Sequence, residues 1–288
     1  MAVGTYALTS LANLKAWIGV NDHAFDLQLE AAIDRSTSIV ESYLDRNVLS
    51  RTYYEWIDAY SQRTIAVQHH PITDIKTIAF GTADAIHLTL DNSDDVLATV
   101  ENDGSSLKFA RVDSSGSSSS SSLAFSTYPT TSQLVTQINA AVTGFTASLT
   151  KNAYSYTLHR FGGRGMVEAN MNLTHARDNI SEYRVEFETG RVHLLSDRFP
   201  NYRADDRFTH RFPGTFQGLF IEYTAGYSTV PADIEQVAIE IAAELYRLRL
   251  EDTSKNSESL GDYSYSRVSS DEKQNMTLSK LLMYRNLR

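Results

Sequence analysis

The chain has 288 residues, no cysteine and a formal net charge of −9, with 21% charged and 42% hydrophobic residues. This length suits one large domain or two ordinary ones, and the composition is that of a soluble globular protein without a membrane span. The lack of cysteine excludes disulfides, thiolate metal sites and a cysteine nucleophile, and the acidic charge argues against tight binding of nucleic acid. An acidic surface can still face DNA that slides past it, because like charges repel.

Two helices are predicted at the start of the chain. Apolar residues recur at helical spacing over residues 10–20, behind Thr9 as the expected N-cap. A second apolar stripe runs to about Leu44, with Asp22 available as its cap. The short link between them predicts a helical hairpin.

Strands are predicted to follow, because β-branched and aromatic residues become frequent over 53–57, 64–67 and 75–80. Between residues 91 and 177 the chain becomes rich in Ser, Thr, Asn and Asp. We interpret this block as an inserted β-rich domain, since its removal leaves a coherent protein on either side.

Within the insert, the serine-rich run 114–122 predicts a flexible loop, and the glycine cluster Gly162–Gly165 predicts a turn. One helix is predicted over 132–142. Alternating patterns predict strands at 96–100, 107–112, 145–149 and 154–158.

After the insert, alternation on both sides of Gly190 predicts a hairpin over 183–195, and a strand is predicted at 219–223. A helix is expected from Pro231 to about Leu250, with its apolar side packed on the N-terminal helices. The predicted class is α+β: a helical core of the N-terminal hairpin plus the C-terminal helix, with a small antiparallel sheet and the inserted β-rich domain. The predicted domains are a discontinuous core (1–90 and 178–250), the insert (91–177) and a C-terminal arm (251–288).

Four separate segments have a distinctive order and spacing. They are Leu8-Thr9-Ser10-Leu11 to Ile18, Ala31-Ala32-Ile33 to Tyr43-Leu44-Asp45-Arg46-Asn47, Tyr223-Thr224-Ala225-Gly226-Tyr227 with Val230-Pro231-Ala232-Asp233-Ile234, and Ser257-Glu258-Ser259-Leu260-Gly261-Asp262-Tyr263-Ser264-Tyr265-Ser266. In this order the chain resembles the head-tail connector, or adaptor, family of tailed phages. The third and fourth segments are the most specific, and the resemblance covers roughly residues 5–83 and 180–288, leaving the insert outside.

The resemblance implies a structural role without catalysis or cofactor. Members of the family form a dodecameric ring in the virion neck, between the portal protein and the next tail or neck protein (stopper, nozzle or tail tube), and double-stranded DNA passes through without tight binding. The first residues contain no basic segment followed by an apolar one, so we expect no secretory signal, no membrane partner, and assembly in the host cytoplasm.

The resemblance also implies that a C-terminal arm, here 251–288, binds the portal. Tyr263 and Tyr265 support this reading, because aromatic residues on a polar strand are typical of partner surfaces. Without the resemblance, the same segment reads equally well as a disordered tail. The expected portal-binding residues are Ser257, Glu258, Leu260, Gly261, Asp262, Tyr263, Tyr265, Leu278, Leu281 and Leu282.

A second candidate surface is a loop in which arginines alternate with aromatic residues. Arginine planes beside aromatic rings bind carboxylates or nucleic acid, but Asp205 and Asp206 weaken the DNA interpretation. We therefore expect this loop to contact a neighbouring subunit or ring. Its candidate residues are Arg198, Tyr202, Arg203, Arg207, Phe208 and Arg211.

No residues predict a catalytic or metal site. His69 and His70 point to opposite faces of a strand, and His175 with Asp178 has no third ligand nearby in sequence. Glu186 and Glu188 alternate on a predicted strand and could form an acid and base pair, but a solvated or channel-facing strand surface is the simpler reading.

The insert leaves two alternatives open. It could recognise or degrade carbohydrate, with Tyr128, Tyr154 and Tyr156 stacking on sugars, although tyrosines on alternating strands are more often core or interface. It could also be a docking site for a tail fibre or the capsid. The sequence does not choose between them.

Overall fold

Helices cluster towards the two ends of the chain, and strands fill the middle. The computed structural model describes residues 3–58, 62–91, 94–167, 170–180, 182–194, 218–248, 257–260, 263–266 and 270–285. Within them the helices are α1 (Leu11–Ile18), α2 (Asp26–Leu44), α3 (Thr131–Ala141), α4 (Ala232–Leu248) and α5 (Ser270–Ser279). The strands are β1 (Arg51–Ile57), β2 (Thr64–Ala66), β3 (Ile72–Phe80), β4 (Ala83–Leu90), β5 (Asp95–Asn102), β6 (Ser106–Asp113), β7 (Ser118–Ala124), β8 (Phe145–Leu149), β9 (Phe161–Gly165), β10 (Met171–His175), β11 (Asp178–Asn179), β12 (Tyr183–Glu186), β13 (Arg191–Leu194), β14 (Leu219–Ala225), β15 (Ser257–Leu260) and β16 (Tyr263–Ser266). The predicted α+β class is confirmed.

The chain divides into two compact units, which are described separately. The helical unit comprises Met1–Arg51, Gln68–Thr73 and Ala225–Arg288, and the β-rich unit comprises Thr52–Val67 and Asp74–Thr224. No helix in the described ranges is both long enough and apolar enough to span a bilayer.

The first helix begins at Leu11, one residue later than predicted. The Ser10 hydroxyl accepts a hydrogen bond from the Asn13 N–H at 3.1 Å, so Ser10 is the N-cap of α1. The Thr9 hydroxyl instead donates to the Glu235 carboxylate at 3.2 Å, which ties the start of α1 to α4. The prediction of Thr9 as cap was therefore wrong, because a tertiary contact uses its hydroxyl.

The second helix also begins later than predicted, at Asp26. The Asp22 carboxylate accepts a hydrogen bond from the Ala24 N–H at 2.9 Å, two residues ahead, which forms a local turn in place of a helix cap. The helix ends at Leu44 as predicted.

The core of the helical unit forms where α4 packs against α1 and α2, as its apolar side predicted. One cluster contains Leu8, Val40, Leu44, Val48, Ile234, Val237, Ala238, Ile241, Leu278 and Leu281. A second contains Leu14, Leu29, Ala32, Ile33, Ile239, Ala242 and Ala243. Residues from both ends of the sequence thus share one interior.

The β-rich unit contains four sheets. Their strand orders are β1-β14-β3-β11, β10-β4-β8, β12-β13-β2 and β7-β6-β5-β9. The predicted hairpin around Gly190 is present as β12 and β13, which pair from Tyr183 with Leu194 to Glu186 with Arg191. The largest core of the unit lies between α3 and the sheets β10-β4-β8 and β7-β6-β5-β9, and draws on residues from Ala85 to Leu173. This core includes β4, which precedes the insert boundary predicted at residue 91; the boundary itself stays a prediction.

The serine run does not form the predicted loop along its whole length. The Asp113 carboxylate accepts hydrogen bonds from the Ser115 and Ser117 N–H groups at 2.9 and 3.0 Å, which closes a tight turn. The chain then pairs as β7 with β6, residue for residue from Ser118 to Ala124, and Leu123 is buried. Pairing with β6 and the burial of Leu123 outweigh the low strand propensity of serine.

Two other predictions in the insert were wrong for related reasons. The Gly162–Gly165 cluster is part of β9, which pairs with β5, rather than a turn. The segment predicted as a strand at 154–158 contains a 3₁₀ turn at Ser155–Thr157. There the Thr157 hydroxyl donates to the Tyr154 carbonyl at 2.6 Å, and such a local bond competes with a strand ladder. The Ser155 hydroxyl donates to the more distant Tyr128 carbonyl at 2.7 Å.

Candidate partner-binding surfaces

The strands β15 and β16 form an antiparallel hairpin in the segment predicted to bind the portal. Glu258 pairs with Tyr265 and Leu260 pairs with Tyr263. Because residues paired directly across two strands share a face, these four residues occupy one face and the four serines of the hairpin occupy the other. Gly261 and Asp262 lie outside the described residues.

β15 and β16 pack on each other, and in the described part of the chain each of them pairs with no strand but the other. An isolated two-stranded hairpin is marginally stable in water. Each of its strands also has an open edge, which can accept a further strand. The hairpin therefore has the properties of a segment that is stabilised by a partner.

The three leucines expected at the end of the arm occupy different environments. Leu278 and Leu281 are buried in the core of the helical unit, and Leu281 is 0% exposed. Leu282 is 58% exposed. The Tyr284 hydroxyl also donates to the Asp233 carboxylate on α4 at 3.3 Å. The residues after α5 are thus held to the helical core, and Leu282 is the leucine of the three that a partner can reach.

A cleft of about 600 Å³ lies between the C-terminal half of α4 and α5, with Trp17 on its rim. Two ion pairs cross from one helix to the other: Lys280 to Glu240 at 2.7 Å and Lys273 to Glu244 at 3.7 Å. Such partly exposed pairs contribute little stability individually, so the leucines are the main anchors of α5.

The arginine and aromatic loop at 198–211 lies outside the described residues, and the ring contacts expected of Arg198, Tyr202, Arg203, Arg207, Phe208 and Arg211 stay predictions.

The tyrosines considered as sugar-stacking residues are engaged in packing. The ring of Tyr156 stacks on Tyr54 of β1, with centroids 3.9 Å apart, and lies 5.2 Å from the ring of Tyr154. Burial, followed by a hydrogen bond with the Tyr154 side chain, raises the pKa of Tyr54 to about 12. Tyr128 packs against the core that lies between α3 and the sheets β10-β4-β8 and β7-β6-β5-β9. All three proposed rings therefore have protein contacts, which disfavours them as an open platform for sugars.

The sequence did not predict the aromatic contacts beside this stack. Trp56 of β1 lies 4.5 Å from the ring of His159 and 5.3 Å from that of Phe220. Burial lowers the pKa of His159 and favours its neutral form. The Arg160 guanidinium donates to the Tyr54 carbonyl at 3.0 Å. Together these contacts fix the segment around residues 154–160 to the sheet that contains β1.

Buried polar residues in β14 were also missed. Glu222 is 2% exposed and pairs with Lys76 of β3 at 2.9 Å, while the hydroxyl of the fully buried Tyr223 donates to the Glu55 carboxylate on β1. The signal was a single glutamate within the apolar run Leu219–Tyr223. These bonds link three adjacent strands, and their role is to stabilise the sheet rather than to take part in a reaction.

The acidic pair considered for catalysis does not form. Glu186 ends β12 and Glu188 lies in the following turn, so the two do not alternate on one strand. Hydrogen bonds from Thr189 and then His193 lower the pKa of Glu186. Its carboxylate is 3.0 Å from the His193 ring nitrogen, which is a surface pairing.

The histidines considered as metal ligands also have other roles. The Arg46 guanidinium donates to the His70 carbonyl at 2.9 Å, and His175 is buried with its Nδ1–H donating to the Ala176 carbonyl at 2.8 Å. Across the described residues, no three His, Asp or Glu side chains converge as metal ligands would.

Comparison with known proteins gives structural likeness without a matching family model or curated sequence. The sequence matches no protein-family model, and no curated protein aligns with it significantly. Among solved structures, the chain is similar to one described as "Neck of empty GTA particle computed with C6 symmetry", with 11% identity and a TM-score of 0.41. The alignment covers 100% of this chain and 95% of the other. That degree of similarity does not establish a shared fold, so function has to be argued from the residues of this chain.

Proposed function

We propose that this chain is a structural head-tail adaptor of a tailed-phage particle, acting by assembly rather than by catalysis. Copies form a ring, dodecameric as in the family that the sequence resembles, and the ring docks on the portal protein. The ring extends the DNA channel and offers a platform to the next neck or tail protein, a stopper, nozzle or tail tube.

The hairpin β15–β16 is the observation that carries this proposal. It follows α4, lies within the segment that the resemblance assigns to portal binding, and its two strands pair only with each other in the described part of the chain. The register places Leu260, Tyr263 and Tyr265 on one face, and tyrosine is among the residue types that dominate binding energy at interfaces. Docking on another protein would bury this face and complete the hairpin.

The burial of Leu278 and Leu281 limits the extent of the proposed arm. Because both leucines belong to the core of the helical unit, α5 is an anchor and not a free end. We assign portal contact to the hairpin at 257–266, with Leu282 as an accessible apolar neighbour in sequence. The two anchored helices, α4 and α5, would hold the base of the hairpin.

The net charge supports the proposed passage of DNA. At −9, the chain lacks the basic character that tight phosphate binding requires, and a duplex moving past an acidic ring would find few sites to which it adheres. The insert stays a candidate docking site for a tail fibre or the capsid.

Replacing residues 257–266 by a Gly-Ser linker of equal length tests the assignment while leaving α5 in place. The substituted protein should keep its helical content but lose binding to rings of the portal protein from the same virus. The measurement is binding by interferometry, combined with imaging of the complexes by electron microscopy.

A finer test compares the two faces of the hairpin. Tyr263→Ser combined with Tyr265→Ser should weaken portal binding more than tenfold, or about 1.4 kcal/mol, because aromatic anchors carry much of the energy of an interface. Ser264→Ala, on the other face, should leave affinity almost unchanged. Unaltered binding by the linker variant would show that the arm is wrongly assigned.

A further inference from the structure

The sheet β7-β6-β5-β9 ends in two strands that have no further strand beside them in the described part of the chain. Most residues of β7 and β9 are exposed, including Ser118–Ser120 and Gly162–Gly165. Open edges present unpaired N–H and C=O groups, and proteins commonly protect them with charges, prolines, bulges or covering segments.

The hydrogen bonds at both ends of β7 identify which of its residues face the open edge. The Asp113 N–H donates to the Ser117 carbonyl at 3.0 Å, and the Phe125 N–H donates to the Ser105 carbonyl at 2.8 Å. Antiparallel strands alternate between bonded and non-bonded pairs, so the odd-numbered residues between these points bond to β6. The backbone groups of Ser118, Ser120 and Ser122 therefore point away from β6.

The same reasoning applies to β9. The Met166 N–H donates to the Ala98 carbonyl at 2.8 Å, and Thr99 is paired with Gly165. Since bonded and non-bonded pairs alternate, Gly165 lies at a non-bonded position and its backbone groups face the open edge. Register also places Gly165 and Ser120 on the same face of the sheet, because both align with Thr99 across the strands.

Neither edge is well protected at these positions. β7 pairs with β6 without a bulge, and it contains no charged residue and no proline. In β9 the bulge lies towards Phe161, and the Arg164 guanidinium lies over the Phe161 ring, 4.8 Å from its centroid. A Cβ at Gly165 would meet no atom within 4 Å, and its φ is not in the left-handed region. The described part of the chain gives no reason for glycine here, and glycine in a strand often marks close approach by another backbone.

We propose that β7 of one copy pairs with β9 of a second copy, which joins the inserted blocks of adjacent subunits head to tail. The directions of the strands in the sheet favour this partner. Its four strands alternate in direction, so β7 and β9 are antiparallel to each other. A second copy rotated about an axis along the strands keeps these directions and brings its β9 antiparallel to β7. In this pairing the edge-facing serines of β7 lie opposite Gly165 of β9, and neither strand has a large side chain there that would block the hydrogen bonds between the two strands.

This inference deepens the proposed ring by naming a contact between its subunits. A ladder of this length gives few hydrogen bonds and is too small an interface to hold two free chains together stably. Other contacts between adjacent subunits of the ring would hold β7 and β9 close together and so raise the effective concentration of the two strand edges. The pairing can nevertheless be trapped covalently in the free chain, without portal protein, so its test is separate from that of portal binding.

Disulfide trapping is well suited to this test because the chain has no cysteine. The test variant combines Ser120→Cys with Gly165→Cys, and both new side chains lie on one face at positions facing the open edges. A directly opposed bonded pair has Cα atoms about 5.5 Å apart, which is within the range of disulfides. Companion variants replace Ser118 or Ser122 in place of Ser120, since a run of serines does not fix the register. Under mild oxidation of the full-length free chain, at least one of these pairs should form dimers, trimers and longer species on a non-reducing gel.

The matched control combines Ser119→Cys with Gly165→Cys. Ser119 is also exposed, but it lies on the other face and its backbone bonds to β6. Its cross-linking should be several-fold slower than that of the best test pair. Equal rates in test and control would overturn the inference, and so would a Ser120→Cys single variant that dimerises as fast as the double variant, because this would indicate two β7 strands meeting. Such failures would leave portal binding by the hairpin unaffected.

Discussion

The anchoring of α5 can be tested with two adjacent leucines that have the same chemistry and different burial. Leu281 is 0% exposed and packs against residues of the N-terminal helices and α4, whereas Leu282 is 58% exposed. Truncating a buried leucine to alanine removes transfer free energy and leaves a cavity, which typically costs about 2–5 kcal/mol. The Leu281→Ala variant should lose that amount, and Leu282→Ala should change stability by less than about 0.5 kcal/mol.

The two tryptophans allow the helical unit to be followed alone. Trp17 belongs to the helical unit and Trp56 to the β-rich unit, so a Trp56→Phe background leaves one reporter in the unit of interest. Urea unfolding should show the midpoint for Leu281→Ala lowered by about 1 M or more, with the slope unchanged. Similar midpoints for the two alanine variants would refute the buried position of Leu281. The whole of 251–288 could then act as a free arm.

Further predictions concern the β-rich unit. Ser120→Pro should cost less than about 0.5 kcal/mol because its N–H faces the open edge, whereas Ser121→Pro removes a ladder hydrogen bond and should cost at least about 1 kcal/mol in thermal melts. Burial lowers the pKa of both His159 and His175, so the unfolded chain takes up protons first as the pH falls below about 6.5. Stability should therefore be full above that pH and decline as the pH falls below it, and a urea midpoint that stays flat on acidification below about 6.5 would contradict the assignment. Thr130→Ala removes the capping box at the start of α3 and should cost about 1 kcal/mol by the same measurements, whereas an unchanged midpoint would mean that the cap contributes nothing.

The sequence predicts most elements whose signal is local. Helical periodicity located α1, α2 and α4, and Pro231 marked the start of α4 to within one residue. Alternation around Gly190 located the hairpin β12–β13. In these cases the pattern within the element, together with its cap or turn residue, is the main determinant of the structure.

The wrong predictions share a different cause: the conformation of each of these segments depends on the residues that it contacts and not only on its own sequence. Ser118–Ala124 is a strand because β6 lies beside it, and Gly162–Gly165 is a strand because β5 does. Composition reports the propensity of a segment but not the presence of a neighbouring strand. Likewise, the alternating residues of 154–158 indicated a strand, but hydroxyl groups form a local turn there.

The candidate sites were predictable only in part, for a related reason. The polar sequence with two tyrosines indicated a partner-binding segment, and that segment forms a hairpin whose strands pair only with each other in the described part of the chain. The sequence could not distinguish Leu278 and Leu281 from Leu282, because the burial of the first two depends on packing against α4 and against α2, which is more than 200 residues away in the chain. The open edges of β7 and β9 were missed because both segments had been predicted as loops or turns.

The aromatic contacts in the β-rich unit determine whether edge pairing could close into a ring. A head-to-tail contact closes only if each copy is rotated by the same angle, and a loosely tethered block would give open chains of many lengths. The stack of Tyr156 on Tyr54 and the Arg160 hydrogen bond to the Tyr54 carbonyl fix the segment around residues 154–160 to the sheet containing β1. Among the longer cross-linked species of the cysteine double variant, a closed ring should give a discrete mass in native mass spectrometry. Tyr156→Ala should leave dimer formation intact but replace that discrete mass by a broad distribution. Tyr128→Ala, which alters a tyrosine packed on the core between α3 and the sheets β10-β4-β8 and β7-β6-β5-β9, is the matched control. If both variants give the same distribution as the parent, the orientation of the block is fixed by contacts other than the tyrosine stack.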